Sequence, residues 1–244
     1  MKNSGILKII CVVIMAFIAQ YIFAQSSPLS IGVRLGANMS AQGVNLDEMF
    51  ANVCESNIRW KGGWQAGVVV DLNMSNKVTL QPGFFYKKSS YDYFMAIIDN
   101  DGKMMRLANG DASYSMYQIP IMVQYKIGLS VLEWQVEAGP YVAFGVSGDN
   151  KLESTTIDVS GNGVYTTSYK YGIGFYDDSD GLIAGCNKFD WGLRFGTGIK
   201  VLGKYYIGIH YNAGVRNVAK GHSEFKKKPS IRNKSVDFSF GYNF

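Results

Sequence analysis

From Ser235 to Phe244 the chain alternates without a break, with Val236, Phe238, Phe240, Tyr242 and Phe244 on one face and Ser235, Asp237, Ser239, Gly241 and Asn243 on the other. A period of two with one apolar side predicts a half-buried β-strand. The same period recurs upstream and predicts seven more strands, at 29–39, 63–74, 78–88, 114–126, 132–145, 189–201 and 205–217. It is sharpest over 189–201, where Phe189, Trp191, Leu193, Phe195 and Ile199 oppose Asp190, Gly192, Arg194, Gly196, Gly198 and Lys200. Pro82, Pro120 and Pro140 fall inside predicted strands, where each removes a ladder donor, so they are expected at bulges or strand ends.

The connections between these strands alternate in length. Those after the second, fourth and sixth strands are a few residues each: 75–77, 127–131 and 202–204. The other four are long, at 40–62, 89–113, 146–188 and 218–234. A soluble sandwich has no reason to sort its loops in this way. A closed barrel in an outer membrane does, with both termini and the short turns periplasmic and the long loops outside. The predicted fold is therefore all-β, an eight-stranded antiparallel up-and-down transmembrane barrel. Its terminal strand, with Phe238, Phe240, Tyr242 and Phe244, is the expected signal for the barrel-assembly machinery.

The opposite end of the chain fits export. Lys2 and Lys8 precede an apolar run from Ile9 to Phe23, and Ala24-Gln25 follow as a small-residue exit. This pattern predicts a cleaved signal peptide over residues 1–24, with the barrel occupying 25–244. Composition agrees with a barrel: 47% of residues are hydrophobic and there are 28 glycines, 16 tyrosines and 14 phenylalanines, yet beyond the signal no apolar run approaches a spanning helix.

Several segments together resemble a known family: LSIGVRLGANMS after the signal, LQPGFFYKK, YQIPIMVQYKIG, EAGPYVAFG, FDWGLRFGTGI, HYNAGVRNV and the terminal GYNF. On these the chain resembles the PorT-like small outer-membrane β-barrels of Bacteroidetes-type, Gram-negative bacteria, over essentially the whole mature sequence. The resemblance implies the barrel fold and an outer-membrane location. It also implies a scaffold whose founding member is linked to the type nine secretion system.

An eight-stranded barrel is just wide enough for its side chains to fill the interior. The inward phase carries Arg34, Asp71, Lys87, Glu137, Asp190, Arg194, Lys200, His210, Arg216 and Asp237. Charges of both signs at this density are expected to pair into a plug. Asp190, His210 and Ser239 share that phase, but side chains deep in a plug would not meet substrate, and no catalytic site, cofactor or metal is expected. Function then falls to the exterior: a membrane-embedded binding or assembly module, or alternatively a secretion or transport accessory.

Two exterior features add candidates. Cys54 and Cys186 both fall in long loops of an oxidising compartment, where a disulfide across the mouth is chemically allowed. Residues 218–234 carry six basic side chains, including Lys226, Lys227 and Lys228, against one acid, whereas 146–188 carry six acids and three bases. The basic loop is expected to meet lipopolysaccharide phosphates, an acidic envelope protein or the acidic loop. Expected partners are thus outer-membrane lipid and lipopolysaccharide, the assembly machinery and an envelope protein, with no nucleic acid.

Overall fold

The computed structural model describes residues 29–45, 53–98, 103–129, 131–160, 163–177, 185–220 and 230–244. The expected signal peptide at 1–24 lies outside them, as do Lys226, Lys227 and Lys228. Among the described residues nine strands are present: β1 (Ser30–Asn45), β2 (Val53–Asn73), β3 (Val78–Ile98), β4 (Met104–Leu129), β5 (Leu132–Ser160), β6 (Gly163–Gly174), β7 (Phe189–Val201), β8 (Tyr205–Gly214) and β9 (Ser230–Asn243). Eight close into an antiparallel ring in the order β1, β2, β3, β4, β5, β7, β8, β9, with β9 returning to β1. The terminal strand thus closes the barrel, pairing over its length with β1 on one side and β8 on the other.

Alternation maps directly onto the two faces. Leu35, Phe195, Ile207 and Phe240 point outward and are exposed, while Arg34, Arg194, His210 and Asp237 point inward and are buried. Such an inside-out distribution is unstable in water and stable with hydrocarbon around the outside. Aromatic side chains mark both rims of the apolar band. Trp64, Tyr86 and Tyr117 cluster with centroids 5.4 and 5.7 Å apart, and Tyr242 packs against Tyr205 and Phe244 at the opposite rim. At the second rim, the Val201–Lys204 turn places both central residues in the left-handed region, Leu202 at φ 53° and Gly203 at φ 69°. That is the backbone of a type I′ turn, whose twist suits two paired strands.

Three sequence expectations are corrected. The segments 40–62, 89–113 and 146–188 are largely strand, and the last contains the unpredicted β6, which forms a hairpin with the outer half of β5. A membrane-spanning strand needs about 9–11 residues, whereas β4 has 26 and β5 has 29. The excess forms a five-stranded sheet that projects from the end of the barrel opposite the short turns. The prolines do not mark bulges: the register is the same on both sides of Pro82 and Pro120 in β3–β4 and of Pro120 in β4–β5, and only local rows of the ladder are missing. Shifts of register occur instead at Val53/Glu55, Trp60/Trp64 and Ser115/Met116. The third correction concerns Arg216 and belongs to the lumen.

Candidate functional site: a filled lumen and a charged external groove

Buried charged and polar side chains meet at several levels of the lumen. Near the short turns, Asp71 accepts hydrogen bonds from Gln81 Nε2 at 2.6 Å, Lys200 Nζ at 2.9 Å and Asn243 Nδ2 at 2.8 Å. Arg34 donates to Asn243 Oδ1 at 2.8 Å and lies 4.4 Å from the centroid of the Tyr206 ring. Room for that ring comes from Gly198 and Gly208, where a Cβ would stand 2.5 and 2.2 Å from it. Higher up, Glu137 accepts from Tyr206 Oη at 2.6 Å and meets His210 Nε2 at 3.0 Å. At mid-height Asp237, fully buried, accepts from Lys87 Nζ at 2.5 Å, Arg194 Nη1 at 2.8 Å and Asn212 Nδ2 at 2.8 Å. Asp190 sits near the outer end, where its donors are neutral: Asn233 Nδ2 at 3.0 Å and Tyr141 Oη at 3.4 Å.

The buried cations Arg34, Lys87, Arg194 and Lys200 match the buried acids Asp71, Glu137, Asp190 and Asp237 in number, and Lys87 and Arg194 pair directly with Asp237, Lys200 with Asp71. Burial at this density is tolerable only with such pairing, because an unpaired ion in a low-dielectric interior costs several kcal/mol. Arg216 stands only at the edge of the network, attracting Asp190 without an ion pair among the described residues. β8 ends at Gly214, and two residues later the guanidinium lies 5.0 Å from the ring centroid of Phe189, an outward-facing residue at the mouth. The inward triplet that suggested nucleophile chemistry is not assembled: His210 is held by Glu137, Ser239 Oγ accepts from Gln65, and Asp190 belongs to the Tyr141 and Asn233 contacts. Among the described residues no cluster of three or more His, Cys, Asp and Glu side chains is placed to hold a metal.

Above the charges, loop residues cap the lumen with an apolar layer. Phe175 stacks on Tyr114 with centroids 4.5 Å apart and meets Tyr91 edge-on, and Cys186, Val218 and Ala219 complete the buried cluster. Backbone bonds tie these loops together: Phe175 N to Gly148 O, Cys186 N to Phe175 O, and Val218 N to Ile231 O. Cys186 is a buried free thiol receiving Gln42 Nε2 at 3.7 Å, and burial pushes its pKa up to about 11. Since Cys186 is free, the expected bridge to Cys54, whose side chain lies outside the described residues, is not made in this structure.

The projecting sheet carries the feature that sequence reasoning missed. On its outward face the hydrophobic phase gives way to polar residues just past the aromatic rim; β3, for example, changes from Phe84 and Tyr86 to Lys88, Ser90 and Asp92. There a groove of about 770 Å³ runs across the strands. Arg59, Asp92, Asp111 and Lys151 form one lateral row across β2, β3, β4 and β5. Lys61 is ion-paired to Asp92 at 2.7 Å and to Asp111. Hydrogen bonding to Asp111 and then Asp92 raises the Lys61 pKa above the usual lysine value, and Lys61 holds the Asp111 carboxyl below its usual range. In the next row Glu153 pairs with Lys170. The available signal was the continued alternation at 88–98, where Ser89, Tyr91, Tyr93 and Met95 share a face. It was weak because both faces are mixed.

The comparisons with known proteins bear on the ring and its location. The family described as outer membrane protein beta-barrel domain matches residues 23–220. No curated protein matches the sequence. Solved structures similar to the chain include the attachment invasion locus protein Ail of Yersinia pestis, at 10% identity and TM-score 0.36, covering 89% of this chain and 100% of that one. Neisserial surface protein A is similar at 10% identity and TM-score 0.37, with coverage of 89% and 100%. OprG of Pseudomonas aeruginosa is similar at 12% identity and TM-score 0.37, with coverage of 88% and 95%. With its outward apolar band, closed ring and this match over most of its length, the chain belongs to the outer membrane protein beta-barrel domain family and is a bacterial outer-membrane protein.

Proposed function

We propose that the protein is a membrane-embedded binding or assembly module: the barrel is an anchor, and the projecting sheet of β2 to β6 is the part that meets a ligand or partner. One observation carries this reading. The lumen is filled by a charge-balanced network and capped by the Tyr114–Phe175 stack, while five strands continue beyond the lipid band and expose a charged groove. A chain serving conduction would gain nothing from that extension. Lipopolysaccharide and an envelope protein are the partners this placement favours, reached through the sheet and the basic segment at Lys226, Lys227 and Lys228.

Photo-crosslinking in intact envelopes tests the reading. A photoreactive residue at Tyr169, on the exposed outer hairpin, is expected to capture a specific envelope component that a probe at lipid-facing Leu35 does not. Identical adducts from the two positions would refute it. Capture of type nine secretion components would turn the assignment to the accessory role that the PorT-like resemblance implies.

A further inference from the structure

The two ends of the lateral row are chemically different from its centre. Asp92 and Asp111 share Lys61, so the central charges satisfy one another. Arg59 and Lys151, at the flanks, have no ion-pair partner among the described residues. They stand on β2 and β5, three strand spacings apart, which places their backbones roughly 15 Å from each other. Between them the groove offers carboxylates, the Asn109 amide and the Phe94 ring. Two cations held in no ion pair, Arg59 opposite Asp92 and Lys151 opposite and attracted by Asp111, flank a hydrogen-bonding floor with an apolar face and suit a hydroxyl-rich molecule that carries anionic groups at separated positions. That chemistry describes an acidic oligosaccharide: cations take phosphate or carboxylate groups, the carboxylates and amide take sugar hydroxyls, and the aromatic ring takes an apolar sugar face.

The position of the groove selects the source. It lies on the outward face, the same face that meets hydrocarbon lower down. Asp92 is six residues beyond Tyr86 of the aromatic rim, about 20 Å along the strand. A molecule in this groove therefore stands above the outer-leaflet lipid beside the barrel. We infer that the groove holds the phosphorylated head-group oligosaccharide of an outer-leaflet glycolipid through Arg59 and Lys151. The inference rests on the reading that the projecting sheet is the binding element, and it names the ligand class of that element.

The test is calorimetric titration of the purified full barrel with deacylated, phosphorylated lipopolysaccharide core oligosaccharide, alongside the same saccharide after phosphatase treatment. The intact saccharide is expected to bind at least tenfold more tightly than the dephosphorylated one. Arg59→Gln with Lys151→Gln should weaken binding at least tenfold. Arg59→Lys with Lys151→Arg should retain it, as should Lys77→Gln with Lys204→Gln, which removes the same charge at the periplasmic turns. Heat-modifiable migration on gels confirms that each variant is folded. The inference is overturned if the doubly neutralised variant binds like wild type, if phosphate removal changes nothing, or if soluble heparin binds while nanodiscs containing the glycolipid do not. Failure of the sheet reading is separable, because it shows in the envelope crosslinking: a specific adduct at Tyr169 with no saccharide binding would remove the glycolipid and leave the display role standing.

Discussion

Replacing Asp237 by Asn probes the lumen plug at its most strongly coupled point. The carboxylate is fully buried and its three donors lie at 2.5 to 2.8 Å, two of them on the cations Lys87 and Arg194. At such distances each charge–charge attraction is about 6 kcal/mol with an effective dielectric constant of about 20, before desolvation is counted. Asparagine keeps the shape and one acceptor but leaves two buried cations facing each other without compensation. Loss of one partner from a buried ionic cluster costs about 3–5 kcal/mol, and relaxation through Ser235, which already accepts from Lys87, favours the lower half of that range. The comparison variant is Asp190→Asn, whose donors are neutral and whose loss strands no paired cation, so its expected cost is below about 1 kcal/mol. Urea unfolding of the barrel in lipid vesicles, followed by tryptophan fluorescence, reads both as shifts of the midpoint at unchanged slope. A triple variant that also makes Lys87→Met and Arg194→Met should recover most of the stability, since the penalty comes from unpaired charge. Equal effects of Asp237→Asn and Asp190→Asn, or no recovery in the triple variant, would refute the account of the plug.

Three further outcomes follow from the same structure. Deleting Phe244, which is 75% exposed and whose backbone N–H bonds Ile31 O, should reduce folded protein in the outer membrane without blocking export, as judged by heat-modifiable migration after fractionation. Leu202→Asn should stabilise the barrel by about 1 kcal/mol in the urea assay, because a branched side chain sits where asparagine tolerates the left-handed backbone better. Cys186 should resist iodoacetamide in the folded protein at neutral pH: its raised pKa keeps it a thiol until the pH approaches about 11, and burial blocks access. Rapid labelling at neutral pH would contradict the cap, and nonreduced peptide mass spectrometry would separately report any bond to Cys54.

How much the sequence revealed depended on what surrounds each strand. β7, β8 and the part of β9 beyond Lys234 lie within the lipid band, where outward residues meet hydrocarbon and inward ones the polar lumen, so Phe189 to Val201 alternates almost without exception. The projecting halves of β3, β4 and β5 have no lipid outside them, and Ser90, Asp92 and Asp111 there look like loop composition. β6 was hidden for the same reason: in GVYTTSYKYGIG, Tyr165 and Tyr169 share one face with Thr167, and the other face, with Val164, Thr166, Ser168 and Lys170, is small and polar enough to look like loop. Arg216 kept the inward phase in the sequence, but the chain leaves the ladder after Gly214 and the phase ceases to apply. The groove could not be read from spacing at all. Its row joins Arg59, Asp92, Asp111 and Lys151 through register, and the bulge between Trp60 and Trp64 brings Arg59 and Lys61 to the outward face.

The central claim is that the barrel is a closed anchor for an external binding sheet. Single-channel recording across a planar bilayer tests it most directly. Reconstituted wild-type protein, verified as folded, should give no discrete current steps at moderate voltage, because the Asp237 and Asp71 clusters and the Phe175 cap stand across the lumen. Steady, unitary conductance that scales with the number of inserted barrels would contradict it.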